Sequence, residues 1–199
     1  VQQFNIDAAG DPVAAARMTY ETITSYQVTL RSKGHRFSEE ILYFYKAGYI
    51  RMEFVRPFPG TILTYNPAKK EVRVKLLRMS GHIITLSPDN RMVRSSAGHR
   101  VDESDIGSLL GVVSTLQSNG ETCVSGTQYL SGREALQVRI RGNRSFTFRG
   151  IHQYALWLDR KTYLPLKVVS YDLRGEPIED LLLDDLRTDI ELPDELFHL

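Results

Sequence analysis

Cysteine is almost absent: the 199 residues contain one, Cys123. A single cysteine makes neither an internal disulfide nor a cysteine-based zinc site, and such a residue is usually a small buried hydrophobe. No apolar run approaches the roughly 20 residues of a transmembrane helix. Charge of one sign is not in surplus either, with Lys and Arg at 25 against Asp and Glu at 24. A nucleic-acid partner calls for a basic excess that neutralises phosphates, so none is expected.

Metal and catalytic spacings are missing as well. The five histidines, His35, His82, His99, His152 and His198, stand far apart, and there is no H-E-x-x-H. No G-x-S-x-G and no glycine-rich phosphate loop occurs. The adjacent acids Glu179-Asp180 and Asp184-Asp185 fall in a strand-like run, where neighbours point to opposite faces and cannot work as an acid/base pair. No catalytic residue, metal or cofactor is therefore assigned, and an enzyme reading would rest on Cys123 alone. The chain begins at Val1 rather than Met, so any export signal is expected to have been removed.

What is present is a helix, a run of strands, a second helix and a second run of strands. Asp11-Pro12 supplies an N-cap and a favourable first helical residue. Val13, Ala16, Tyr20 and Ile23 then recur at helical spacing, which predicts a helix ending near Ser25-Tyr26. Strand-like runs follow at 27–31, 36–46, 50–55, 61–65, 72–76 and 83–86, separated by turn signals such as Pro57-Phe58-Pro59-Gly60 and Asn66-Pro67. Residues 87–102 read as loop with weak strand character. A second helix is predicted from Glu103 or Ser104 to Ser118, with Ile106, Leu109, Val113 and Leu116 as its apolar face and Asn119-Gly120 as its stop.

Ser125-Gly126 and Ser131-Gly132 read as turns. Strands are predicted again around 136–140, 154–159, 164–173 and 177–187, with a short helical turn over 193–199. Turns this frequent favour antiparallel pairing, because parallel strands need long crossovers. The expected fold is α+β: one strongly curved antiparallel sheet with helices covering its concave face, in a single domain over 1–199.

The C-terminal third carries a resemblance. Tyr154-Ala-Leu-Trp157-Leu-Asp159-Arg-Lys-Thr162-Tyr-Leu-Pro165 is followed by Tyr171-Asp-Leu-Arg-Gly175, Leu183-Asp-Asp-Leu186 and Leu192-Pro-Asp-Glu-Leu-Phe197. This order resembles the bacterial outer-membrane lipoprotein-sorting family (LolA/LolB-like) and its relatives in envelope-stress sensing. Asp159 and Thr162 suit hydrogen bonds to a turn backbone, and Pro165 suits the first position of a strand. The resemblance implies an unclosed β-barrel lidded by helices, in the periplasm or on an outer membrane of a bacterial envelope. It also implies a cavity for a lipid acyl chain or lipoprotein, with an envelope membrane protein as a further partner, and no metal or covalent chemistry.

Each buried methylene of a ligand contributes about 0.8 kcal/mol, so an acyl chain binds usefully without a hydrogen bond. Ile50, Met52 and Phe54 are the foremost candidates to line such a cavity, joined by Leu63, Val72, Val74, Leu136, Val138 and Ile140 and by Leu109 and Val113 of the second helix. That helix carries Gly107 and Gly111, which suits either close packing or an easily displaced lid. Arg139, Arg141, Arg144 and Arg149 with Phe146 and Phe148 form a basic-aromatic cluster suited to acidic head groups or a protein partner. Two binding readings stand: a carrier that shields an acyl chain, and a regulatory interaction module of the envelope.

Overall fold

The computed structural model describes residues 10–76 and 82–199. It holds two α-helices, α1 (Pro12–Glu21) and α2 (Ile106–Ser118). The strands are β1 (Ser25–Lys33), β2 (Ser38–Lys46), β3 (Tyr49–Arg56), β4 (Ile62–Asn66), β5 (Glu71–Lys75), β6 (Ile83–Leu86), β7 (Gly120–Leu130), β8 (Arg133–Gly142), β9 (Gln153–Asp159), β10 (Pro165–Tyr171) and β11 (Pro177–Thr188). They form one antiparallel sheet in the order β6-β5-β4-β3-β2-β1-β11-β10-β9-β8-β7. The two end strands do not pair with each other, so the sheet is unclosed. The expected α+β class with an unclosed sheet and helices is therefore what the chain adopts.

The chain divides into two compact units, 1–22 with 106–182 and 23–105 with 183–199. The strand β11 passes from the first into the second after Leu182.

In the first unit, the Asp11 side chain caps α1 by accepting from Val13 N at 2.9 Å and Ala14 N at 3.3 Å, with Pro12 in the first turn. This helix stops at Glu21, short of the predicted end. The run Thr22-Ile23-Thr24 is β-branched, and Thr22 Oγ1 turns back to Thr19 O at 2.7 Å. The second helix also starts later than predicted, at Ile106. Before it, Val101–Glu103 makes a 3₁₀ turn, and Ser104 Oγ donates to Val101 O at 2.6 Å. Ile106, Leu110, Val113 and Leu116 are its buried side chains, and it packs on α1, β7 and β8.

The strand β7 departs most from the sequence reading. Ser125-Gly126 is not a turn but a bulge inside an eleven-residue strand, where the pairing with β8 slips between Val124 and Gly126. Gly126 takes a φ of +114°, open to glycine and rarely to other residues. Ser131-Gly132 is a turn as expected: both residues have positive φ, the two-residue hairpin geometry that matches strand twist.

At Gly111 the structure goes against the first of the two expected roles, close packing. A Cβ built there meets nothing within 4 Å, so this glycine serves no close packing. Gly111→Ala is expected to stabilise the protein by about 0.5–1 kcal/mol, because alanine restricts the unfolded chain and favours the helix. Urea unfolding measures it; a lower midpoint in the alanine variant would refute this reading of the site.

In the second unit, β1 to β6 run as a meander whose hairpins fix the register. All described neighbours pair antiparallel. The 3₁₀ turn Asp194–Phe197 packs against β3 and β4.

Candidate functional site

Cross-strand partners share a face of a sheet, so the register of β1 to β6 assigns two faces. One face is apolar. Its first row across the strands is Tyr26, Tyr45, Ile50, Tyr65, Val72 and Leu86, and its second is Val28, Tyr43, Met52, Leu63, Val74 and Ile84. A third row holds Leu30, Ile41 and Phe54. Beyond it lie Ser32 and Glu39. Six of the predicted lining residues, Ile50, Met52, Phe54, Leu63, Val72 and Val74, thus stand on one face.

Burial is uneven across that face. Tyr26, Val28, Tyr43, Ile50 and Val72 are at most 2% exposed. Met52 and Leu63 are buried as well, whereas Leu30, Phe54, Val74, Ile84 and Leu86 stay half-buried. Apolar side chains therefore remain reachable at the third row and towards β6.

A strap formed by residues 87–105 covers part of this face. Its Ser96 donates to the buried carboxylate of Glu39 through the backbone N at 3.3 Å and through Oγ. Its Ser104 Oγ lies 3.2 Å from the Tyr43 hydroxyl. Val93 and Val101 are the buried apolar residues of the strap. Arg100 ties it internally to Asp102 at 2.7 Å and to Asp89. The hydrogen bond from Arg100 holds the Asp102 carboxyl below the usual range, despite partial burial. Burial pushes the Tyr43 phenol far up, so Tyr43 is a neutral hydrogen-bonding group here. Tyr26 stacks on Tyr43 and Tyr45 with ring centroids 5.9 and 5.0 Å away.

The opposite face of the same strands is polar and ion-paired. Arg31 meets Glu40 and Asp184, Arg56 meets Glu40, Arg51 meets Glu53 and Arg73 meets Glu71. The C-terminal segment lies against it. Lys46 Nζ donates to Leu192 O at 2.7 Å and Arg51 Nη1 to Leu196 O at 2.8 Å, while Phe44, Leu192 and Phe197 make a small apolar cluster.

The remaining predicted lining residues belong to the first unit. Leu136, Val138 and Ile140 share one face of β8, continued across the register by Leu158, Leu156 and Tyr154 of β9. Val138, Ile140, Leu156 and Leu158 are fully buried, and Val113 of α2 is buried too. Leu109 is only half-buried, and Leu110 takes the buried position instead. This face is packed core wherever burial is complete, in contrast to the half-open margin at Phe54 and Val74.

Sequence reading missed Tyr26, Val28, Tyr43, Ile84 and Leu86 on the first face. Alternation through 26–30 and 41–45 carried that signal. Nothing in the sequence signalled the strap, because its anchors, Glu39 and Tyr43, lie more than fifty residues from their partners.

Among the described residues the first of these faces is apolar apart from the tyrosine hydroxyls, Ser32 and Glu39. Cys123 is exposed on β7 rather than buried, with Arg139 opposite. His35, His82, His99 and His198 are exposed; His152 is buried, with Nδ1 2.8 Å from Phe146 O and Nε2 3.3 Å from Arg141 Nε. Among the described residues no group of three or more His, Cys, Asp or Glu side chains is placed to hold a metal ion. No helix among them is long and apolar enough to cross a membrane.

The motif residues do what their types suggested. Asp159 Oδ1 accepts from Lys161 N and Thr162 N at 2.9 Å each and from Thr162 Oγ1 at 3.2 Å. Pro165 is the first residue of β10. Trp157 lies on the sheet face away from Leu156 and Leu158, donating to Gln128 Oε1 at 3.0 Å with Lys167 Nζ 5.3 Å from its ring.

Known proteins agree with this architecture. No curated protein matches the chain. An uncharacterised conserved protein of Thermus thermophilus superposes with a TM-score of 0.58 at 16% identity, covering 96% of this chain and 93% of that one. The Pseudomonas aeruginosa MucA/MucB complex superposes with a TM-score of 0.58 at 15% identity, over 96% of this chain. This chain spans 61% of the length of that one. The Mycobacterium tuberculosis lipoprotein LppX superposes with a TM-score of 0.56 at 11% identity, over 95% of this chain and 100% of that one. These likenesses concern the fold. The model of the MucB/RseB N-terminal domain family matches residues 70–198, and that family lies in the LolA-like superfamily, as the resemblance of residues 154–197 implied. The chain belongs to the MucB/RseB N-terminal domain family.

Proposed function

We propose that this domain is a non-enzymatic binding module of the bacterial cell envelope that shelters a lipid acyl chain, free or on a lipoprotein, against the apolar face of β1 to β6. The reading rests on one observation: Leu30, Phe54, Val74, Ile84 and Leu86 remain half-buried beside a core that is otherwise closed. Hydrocarbon laid on such a margin gains about 25 cal/mol for each Å² of apolar surface removed from water. Glu39 is the one charged group in the described rows of that face, and Ser96 already satisfies it. The strap over 87–105 then acts as the cover.

The test is mass spectrometry of organic extracts of the native protein, paired with titration of a fluorescent fatty acid. Saturable binding that Met52→Glu abolishes is the expected result, with folding monitored by circular dichroism. A clean extract together with no saturation would sink the proposal.

A regulatory reading has support of its own, since MucB has been crystallised with the periplasmic part of MucA. By that likeness the domain engages an envelope membrane protein and acts in the periplasm, with the acyl chain as its signal. Pull-down from envelope membranes with and without bound fatty acid distinguishes a sensor, whose capture changes, from a plain carrier, whose capture does not.

A further inference from the structure

Most of β7 has no cover. Among the described residues, 121–129 are exposed along β7, which is the last strand of the sheet and pairs with β8 alone. An edge of this kind presents unpaired backbone donors and acceptors to other chains. Natural edges are usually blunted by short length, lysine or proline. The other edge, β6, has four residues. By contrast β7 has eleven and contains neither lysine nor proline. Its blunting devices are the charge of Glu121 and the bulge at Ser125-Gly126, and the bulge leaves Gly120–Val124 as an unbulged arm.

That arm is flanked by positive charge. Arg141 stands opposite Glu121 and Arg139 opposite Cys123, on the same face of the sheet. The following hairpin is tied back by the bond from Asn143 N to Asn119 O at 2.9 Å, which places Arg144 beside the start of β7. None of Arg139, Arg141 and Arg144 forms an ion pair among the described residues, Glu121 included; Arg141 donates instead to the imidazole of His152. Most arginines of the other unit's strands are ion-paired. Cys123, opposite Arg139, has a small side chain, and Arg139 is exposed; a strand laid beside β7 would stand one spacing of about 4.8 Å further out. On the opposite face Thr122 and the half-exposed Val124 offer a β-branched surface.

We propose that the Gly120–Val124 arm of β7 is a docking edge for an extended, acidic segment of a partner polypeptide. The segment adds as a further strand, its carboxylates towards Arg139, Arg141 and Arg144 and its alternate apolar residues towards Thr122 and Val124. Backbone hydrogen bonds supply affinity in such strand addition, and alternate side chains supply choice of partner. This edge belongs to the first unit and the apolar face of β1 to β6 to the second, and the proposal does not depend on a bound acyl chain.

The probe is the capped peptide acetyl-Thr-Glu-Val-Glu-Val-Glu-Thr-amide, followed by amide hydrogen exchange and NMR shifts of this chain. Slowed exchange confined to residues 121–124, with shifts at Arg139 and Arg144, is the expected result. The same peptide with lysine for each glutamate should give no slowing. The double variant Arg139→Glu, Arg144→Glu should weaken binding roughly tenfold, and raised salt should weaken it too. Unchanged exchange with the acidic peptide, or equal responses to both peptides, would overturn the proposal. So would protection of 121–124 in the protein alone with a doubled mass in sedimentation, since a second copy would then be the occupant.

Discussion

Replacing Asp159 with alanine is expected to lower the unfolding free energy by about 2–4 kcal/mol, among the larger effects a single substitution produces. Its carboxylate is buried and organises the whole β9–β10 turn. One oxygen accepts from two backbone N–H groups and a hydroxyl, and the other meets Arg133 Nη2 at 2.7 Å. The turn leaves Tyr163 at a φ of +60°, a conformation that non-glycine residues rarely adopt unless held. Alanine would leave Lys161 N and Thr162 N without their acceptor. Asp159→Asn keeps one acceptor oxygen but removes the negative charge facing the partly exposed Arg133, so it should cost only about 1 kcal/mol. Urea unfolding midpoints at constant m-value report both. An alanine variant within about 0.5 kcal/mol of the parent would show that the turn stands without this side chain.

Removal of the Glu39 carboxylate is expected to loosen the strap. Glu39 is 7% exposed, and Ser96 is bound to it through both backbone and side chain. Glu39→Ala should cost about 1–3 kcal/mol, the usual range when a buried hydrogen-bond partner is deleted. Its signature is local: amide exchange across 87–105 should accelerate more than exchange in β8 and β9, which lie in the other unit. Glu39→Gln retains an acceptor oxygen and should recover most of the protection. If exchange in 87–105 is unchanged in Glu39→Ala, the Tyr43–Ser104 contact and the burial of Val93 and Val101 suffice to hold the strap. Any acyl chain on the β1–β6 face would then have to enter at the Phe54 margin.

Much of the candidate site was legible from alternation. Ile50, Met52 and Phe54 recur every second residue, as do Val72 and Val74, and a strand places such residues on one face. That the two series share the same face depends on the register through Leu63, and the hairpins set it. The two groups of predicted lining residues, one on β3 to β5 and one on β8 with α2, had looked alike in sequence. Structure separates them into two units and gives them different exposure. Periodicity reports which side chains turn inward; it carries no information on what finally rests upon them.

The errors have a common cause. Gly126 looked like a turn because glycine with serine usually marks one, but cross-strand pairing on both sides absorbed it as a bulge. Cys123 looked buried on its type alone, whereas position on an edge strand left it exposed. Ile23 extended the helical spacing of α1, but β-branched neighbours and the pairing of β1 pulled the chain straight.

By itself the order of residues determined the strand runs other than β7, both helices and the LolA-like motif, since these depend on neighbours a few positions apart. Tertiary structure decided that Glu39 and Tyr43 hold a strap, that β7 is left as an open edge, and which apolar face keeps a reachable margin. Those outcomes depend on groups distant in sequence meeting in space, and local preference cannot encode such a meeting.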